Sequence, residues 1–341
     1  METDRNRAAS SEKRVCVVGG SGFIGTRLCR NLKAAGIPFH ILDLKISRQF
    51  PELTTKIDIR DRNALSSTLD GDVIIHLAAV HRDDVRDKSL YTQTNVDGTR
   101  NICEVAAEKG IDRIVFTSSV AVYGFAKPMT GVDGKIAPFN EYGRTKFEGE
   151  QVLRAWHRQD SANRGLTILR PTVVFGEGNR GNVYNLLRQI QSGKFVMIGA
   201  GKNTKSMAYV GNVAAFLQAL SYADAGYRIF NYTDGPDFDV NTLVSQVNQA
   251  LKGKFGVGFR LPYGLGMGLG YLADGFARLT GKNLPVSSIR VQKFCSTTSF
   301  ASNATDYPAF KPPFTLQEGL ERTLRAEFIE PDPSLETFYT E

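Results

Sequence analysis

The sequence predicts an α/β protein, a doubly wound parallel sheet with helices on both faces and a smaller C-terminal part interleaved with it. Three observations carry this expectation. Short runs of β-branched residues alternate with helical stretches through the first half of the chain. The runs are continuously apolar, as strands buried on both faces require. The first of them ends in a glycine-rich turn that opens into a helical pattern.

RVCVVG (14–19) is the first strand, and FIGTRLCRNLKAAG (23–36) the first helix, stopped by Gly36. PFHILDL and TTKIDI read as the second and third strands, DVIIHLAAV as the fourth and RIVFTSS as the fifth. Between them lie the helical stretches RNALSSTL and KSLYTQTNVDGTRNICEVAAEKG. A helix around APFNEYGRTKFEGEQ (137–151) and the strand LTILRP (166–171) continue the rhythm, which becomes irregular beyond Val213. YRIFNYTD is then a strand, and VNTLVSQVNQALKG an amphipathic helix with a glycine stop. LPYGLGMGLGYLADGFARLTGK (261–282) is too short, and too interrupted by Asp274 and Arg278, to span a bilayer. It reads as a helix packed beside the substrate pocket, with Gly266 and Gly270 allowing close backbone approach; the alternative is a surface that touches a membrane or a partner. SSIRVQKFCSTTSFASNATDY adds backbone before a last helix, LQEGLERTLRAEF, and the tail PDPSLETFYTE reads as loosely held.

The expected division is a frayed N-terminus (1–12), a dinucleotide-binding domain (13–175, with returning segments around 205–235), a substrate domain (176–204 and 236–330) and a tail (331–341). Of the 341 residues, 42% are hydrophobic and 23% charged, a soluble globular composition. No run of about 18 uncharged apolar residues suggests a membrane span, and METDRNRAASSEKR lacks a signal-peptide core, so a cytoplasmic location is expected. Cys16, Cys29, Cys103 and Cys295 follow no disulfide spacing and read as buried free thiols in a reducing compartment. His40, His76, His81 and His157 show no metal-ligand spacing, so no metal site is predicted. The net charge of +7 comes without a Lys/Arg cluster interleaved with aromatics, so nucleic acid is not an expected partner and the basic surface reads as unremarkable.

In doubly wound sheets ligands sit beyond the carboxyl ends of the strands, where the strand order reverses. After the first strand, GGSGFIG places Gly19, Gly22 and Gly25 in a turn that lets backbone approach a pyrophosphate, with Phe23 and Ile24 opening the helix whose N-terminus favours its charge. Asp43, after the second strand, lies where a ribose-binding acid is expected and would repel a 2′-phosphate. The cofactor expected is therefore NAD, with NADP possible because Lys45 and Arg48 are near. Asp58 and Ile59 are placed at the adenine edge, and Leu77, Ala78 and Ala79 beside the cofactor. Pro171, closing the LTILRP strand, joins the cofactor-binding set with Tyr142 and Lys146, the lysine also holding the nicotinamide ribose. His81 is as well explained as a loop residue.

Tyr142 and Lys146 share one helix face, and Ser118 and Ser119 end the fifth strand at the same cleft. A tyrosine can move the proton of a reacting hydroxyl if its pKa falls from about 10 towards neutrality. A drop of about three units needs roughly 4 kcal/mol of phenolate stabilisation, which the Lys146 ammonium and an oxidised nicotinamide ring together would provide.

GGSGFIG, Asp43, HLAA, TNVDGT, TSSVAVYG, YGRTK and LRPTVVFGEG, in this order, resemble the extended short-chain dehydrogenase/reductase family over roughly residues 13 to 225. The resemblance implies a Rossmann-type fold, a catalytic set of Ser119, Tyr142 and Lys146, a structural or proton-relay role for Asn95, and a substrate held by the smaller domain. It also implies a homodimer through the helices flanking Asn95 and Tyr142. Ser119-Val120-Ala121 lacks the acidic pair of the family's dehydratases. Val173 stands where the galactose-type epimerases usually carry an asparagine, and KSMAYVGN where they tend to carry an arginine. Lys205 and Asn182 remain candidate substrate contacts, with Ser119 and Tyr142.

The expected substrate is a nucleotide-activated sugar of the UDP-hexose type, acted on at C4 as the resemblance implies, by a 4-epimerase or a 4-ketoreductase. A dehydrogenase of hydrophobic alcohols, like the 3-beta-hydroxysteroid dehydrogenases, is the alternative, and a non-catalytic NAD-sensing protein the remote one.

Overall fold

The computed structural model describes residues 13–82, 85–280 and 287–340. The expected frayed N-terminus, residues 281–286 and Glu341 lie outside the described residues.

The chain opens with β1 (Val15–Val18), α1 (Phe23–Ala34), β2 (Phe39–Asp43), β3 (Thr54–Lys56), α2 (Arg62–Thr68) and β4 (Val73–His76). It continues through α3 (Ser89–Thr92), α4 (Gly98–Glu108), β5 (Arg113–Thr117), α5 (Glu141–Gln159) and β6 (Gly165–Pro171). β7 (Val173–Phe175), α6 (Asn182–Gln191), β8 (Met197–Ile198), β9 (Thr204–Tyr209), α7 (Val210–Leu220), β10 (Gly226–Tyr232) and β11 (Asp234–Asp239) follow. The last elements are α8 (Val240–Lys252), β12 (Arg260–Leu261), α9 (Tyr263–Thr280), α10 (Ser288–Cys295) and α11 (Leu316–Leu324).

Seven strands form one parallel sheet in the order β10-β6-β5-β4-β1-β2-β3. β1 lies between β2 and β4, with Val15 opposite both Phe39 and Val73, so the direction of winding reverses between β1 and β4. A ligand crevice is expected there. Because successive side chains point to opposite faces, β1 feeds two cores. Val15 and Val17 pack with Leu28 and Leu32 of α1 and Phe216 and Leu217 of α7. Cys16 and Val18 join Leu65 of α2, Ile102 of α4 and Leu153 and Trp156 of α5 on the other face. A third core holds the remaining part together, with Leu187 of α6, Val244 of α8 and Leu320 of α11 around the sheet β11-β9-β7.

The long helical stretch after β4 is not regular. Gln93–Asp97 forms a widened π-type turn between α3 and α4, a feature that recurs at functional sites. The tail, expected to be loose, is tied down. Arg180 N donates to Phe338 O at 2.8 Å and Phe338 N to Gly178 O at 2.8 Å, while the Phe338 ring lies 5.9 Å from that of Phe23. Backbone pairing to the Gly178 loop, which the tail's polar composition did not announce, is the reason.

α9 also departs from expectation. A Cβ added at Gly266 would stand 2.5 Å from Ile198, and one at Gly270 2.8 Å from the Ser288 backbone, so this glycine seam is packed. An adjoining face is not. Leu265, Leu269, Leu272, Phe276 and Leu279 are all exposed.

Candidate active site

The turn after β1 is built for close approach. Gly19 has φ +86°, and a Cβ there would stand 2.5 Å from the Ala78 nitrogen. A Cβ at Gly25 would meet the Gly19 carbonyl at 2.6 Å. Gly22 caps α1 without a side chain to occupy the first N–H groups, which leaves them for an anionic ligand. Leu77 and Ala78 donate their amides to the Val18 carbonyl at 2.7 and 3.1 Å, which holds the end of β4 against the turn.

At the end of β2, the Asp43 carboxylate accepts from Ser21 N and Lys45 N, both at 3.0 Å. Burial raises its pKa against those backbone bonds and the charge of Lys45. The same carboxylate thus shapes the glycine turn. Asp58 instead accepts from Arg60, and that pairing holds its pKa below the usual carboxylate range. Ile59 is buried and packs where a Cβ on Gly98 would stand. His81 is an exposed loop residue with Nδ1 3.5 Å from the Ala79 carbonyl.

Ser119 and Tyr142 meet beyond the end of β5, and Lys146 follows one turn further along α5. Ser119 caps the short turn Val120–Tyr123, its Oγ accepting from Ala121 N at 3.2 Å. Asn140 caps α5 by accepting from Gly143 N, and so fixes the helix that carries Tyr142 and Lys146. Tyr142 is hydrogen-bonded to Ser119. Its pKa differs from the sequence expectation: burial pushes the phenol up to about 12, and only the Ser119 bond opposes that rise. Lys146 takes no part in that balance; it is itself buried, and burial pushes it down to about 7, opposed by the charge of Glu150. Lys146 Nζ lies 4.0 Å from the centre of the Phe116 ring.

Two supporting groups complete the cleft. Asn95, buried in the widened turn, accepts from Val80 N at 2.8 Å and donates to Val80 O at 2.9 Å and Thr145 Oγ1 at 3.0 Å. It locks the loop after β4 to α5, next to Lys146. One turn beyond Lys146, the buried Glu150 accepts from Arg170 Nε at 2.8 Å and Nη2 at 2.6 Å, and from Ser118 Oγ at 2.6 Å. Arg170 Nη1 also donates to Tyr123 Oη at 2.6 Å. Sequence reasoning missed this pair; the available signal was a glutamate four residues after Lys146 on the same face.

The two candidate substrate residues lie apart. Asn182 begins α6 and lines a small cavity of about 70 Å3 with Val173, Asn179 and Thr340. Lys205 donates from Nζ to the carbonyls of Lys293 and Ser296, at 2.8 and 2.5 Å, and burial lowers its pKa to about 8. Pro171 is buried at the end of β6.

Fold and site together define an enzyme of the short-chain dehydrogenase/reductase type. The chain belongs to the NAD dependent epimerase/dehydratase family, which it matches over residues 15–232. It is 48% identical to the N-acetyl-alpha-D-glucosaminyl-diphospho-ditrans,octacis-undecaprenol 4-epimerase of Escherichia coli O157:H7, over 96% of this chain and 99% of that one. It is 28% identical to the UDP-glucose 4-epimerase of Vibrio cholerae, over 92% and 95%. Among solved structures, MoeE5 in complex with UDP-glucose and NAD superposes with a TM-score of 0.70 at 23% identity, over 92% of this chain and 97% of that one. The cofactor is NAD, the group for which the turn at Gly19 and the carboxylate of Asp43 fit.

Proposed function

We propose that the protein interconverts the C4 epimers of an N-acetylhexosaminyl diphosphate whose diphosphate carries a polyprenyl lipid. The hydrogen-bonded Ser119–Tyr142 pair, one turn from Lys146, carries the reaction type. The relative at 48% identity, matched over nearly the full length of both chains, supports the substrate class.

Gly19, Gly22, Phe23, Ile24 and Gly25 would hold the cofactor's diphosphate, Asp43 a ribose, and Leu77 to Ala79 with Pro171 the wall beside it. Bound NAD supplies a reversible two-electron acceptor at C4. Tyr142 Oη takes the O4 proton as the hydroxyl becomes a ketone, and returns it when the opposite face of that ketone is reduced. Ser119 Oγ holds O4 in line with Tyr142. Anionic groups entering the cleft favour the ammonium form of Lys146, and that charge in turn favours the phenolate. Asn182 and Lys205 are proposed contacts to the substrate, Lys205 as a point charge for a phosphate. The segments 176–204 and 236–330 would close over the sugar. A homodimer through α4 and α5 and a cytoplasmic location belong to the same proposal.

A nucleotide carrier is the second reading, favoured by the UDP-glucose 4-epimerase relative. The test is to supply the purified protein and catalytic NAD with N-acetylglucosaminyl diphosphoundecaprenol or with UDP-N-acetylglucosamine. Galactosamine-type product from the lipid, with no net change in absorbance at about 340 nm, is expected. Product from the nucleotide sugar alone would replace the carrier, and stoichiometric NADH consumption with a 4-keto sugar would replace epimerisation by reduction.

A further inference from the structure

The exposed face of α9 has no partner, and its chemistry is specific. Leu265, Leu269, Leu272, Phe276 and Leu279 recur at steps of four and three, so they form one stripe along the helix. Their exposures run from 49% at Phe276 to 88% at Leu279. Phe255 and Phe259, in the loop that leads into the helix, are exposed as well. Ten of the 21 exposed large apolar residues among the described residues fall between positions 252 and 295. An apolar surface of this kind marks a site of interaction.

The charge of the same segment is equally uneven. Positions 252–295 hold seven basic residues and one acidic residue, a net +6 against +7 for the whole chain. The one acid, Asp274, is turned inward and accepts from Ser288 N at 3.2 Å and Oγ at 2.5 Å. Lys254 and Arg278 are exposed. The apolar stripe therefore lies in a segment that carries nearly all of the chain's net positive charge, with Arg278 on the helix itself and Lys254 in the loop before it.

We propose that α9 is an interfacial docking helix, which lays its Leu265–Leu279 stripe into the surface of an anionic phospholipid bilayer. No helix among the described residues is long and apolar enough to cross a membrane, so the contact is with one face of the bilayer. An apolar helix face bordered by Lys and Arg binds such a surface through buried apolar area and attraction to anionic headgroups. A second copy of the chain fits less well, because a two-fold pairing of this face would set two +6 segments against each other. The packing ties the face to the catalytic helix. Gly270 of α9 rests on Ser288 of α10. Lys293 of α10 lies over the Phe139 ring at 4.8 Å, three residues before Tyr142. Phe139 stacks on the exposed Phe125 at 4.8 Å, so an exposed aromatic pair lies between α10 and the start of α5. A docked α9 would present that cleft to a sugar diphosphate anchored in the same bilayer, so the purpose assigned to the helix rests on the substrate class proposed above.

The test is flotation of the purified NAD-loaded protein with vesicles of phosphatidylcholine alone or mixed equally with phosphatidylglycerol. Binding to the anionic vesicles is expected. The double variant Leu269→Asp, Leu272→Asp should lose it about tenfold or more, as expected from removing two leucines from the buried area. Lys254→Glu with Arg278→Glu should remove the dependence on phosphatidylglycerol. Unchanged thermal unfolding of each variant establishes that the effect is not one of folding. Wild-type protein that stays with the soluble fraction, or variants that float as well as wild type, would overturn the proposal. So would a wild-type dimer that dissociates in the leucine variant without any vesicle binding. Vesicle binding does not depend on turnover. A protein that floats but leaves the lipid-linked sugar unchanged refutes the substrate class alone; one that converts that sugar without floating refutes docking alone.

Discussion

Lys146→Met should make the cofactor-free protein more stable while abolishing turnover. The lysine is buried, and its pKa falls from 10.5 to about 7. At 1.36 kcal/mol per unit, keeping it charged in the folded state costs about 5 kcal/mol at pH values below 7. The sign follows from proton linkage. Because the folded pKa is depressed, the unfolded chain binds more protons between pH about 7 and 10.5, and stability rises with pH across that window. Methionine has a similar length, needs no charge, and can keep a sulfur–aromatic contact with Phe116. Against this gain stands the loss of the cation over Phe116 and of the attraction to Glu150, so a net gain of a few kcal/mol is expected. Denaturant unfolding of cofactor-stripped protein, at neutral pH and at about pH 10, measures it. The variant should exceed wild type at neutral pH, and the gap should narrow as pH rises. A variant less stable than wild type, or a gap independent of pH, would refute the desolvation argument.

Tyr142→Phe keeps the ring but removes the proton carrier; turnover should fall at least about a hundredfold with NAD binding nearly unchanged, and full activity would remove Tyr142 from the mechanism. Asp43→Ala should shift equilibrium binding toward NADP by about tenfold or more, and an unchanged preference would displace the ribose site. Glu150→Ala leaves Arg170 charged and buried, so unfolding free energy should drop by about 3–5 kcal/mol; a loss within about 0.5 kcal/mol, the range of an ordinary surface substitution, would show that the pair holds nothing together.

The sheet was legible because buried parallel strands declare themselves locally. RVCVVG, DVIIHLAAV and RIVFTSS are apolar runs bounded by polar or glycine-containing turns, and each became a strand of the seven-stranded sheet. That Tyr142 and Lys146 share one face of α5 was legible because four residues make about one helical turn, whatever lies around it. The pKa values were not, since they depend on burial that spacing does not report: Tyr142 rises and Lys146 falls for the same desolvation. Glu150 and Arg170 are 20 positions apart and meet only through the packing of α5 on β6. The tail was misread because its order comes from backbone bonds to Gly178 and Arg180, which side-chain composition does not encode.

The basic charge shows what a whole-chain sum hides. Averaged over 341 residues, +7 is modest and points to no partner. Counted over 252–295 alone, it is +6, in the same segment as the exposed leucine stripe. The Leu265–Leu279 periodicity is visible in the sequence but gives no sign of whether it faces a core, since an amphipathic helix looks the same in either setting. The glycines decide the orientation. Gly266 and Gly270 meet the protein at distances no side chain would tolerate, so the helix is held by its narrow face and its large apolar residues point outward. A helix stabilised only by burying large side chains in its own core would have the opposite arrangement. Glycine seam, leucine stripe and basic segment are separate sequence features, and together they give α9 one face for the fold and one for a surface outside it.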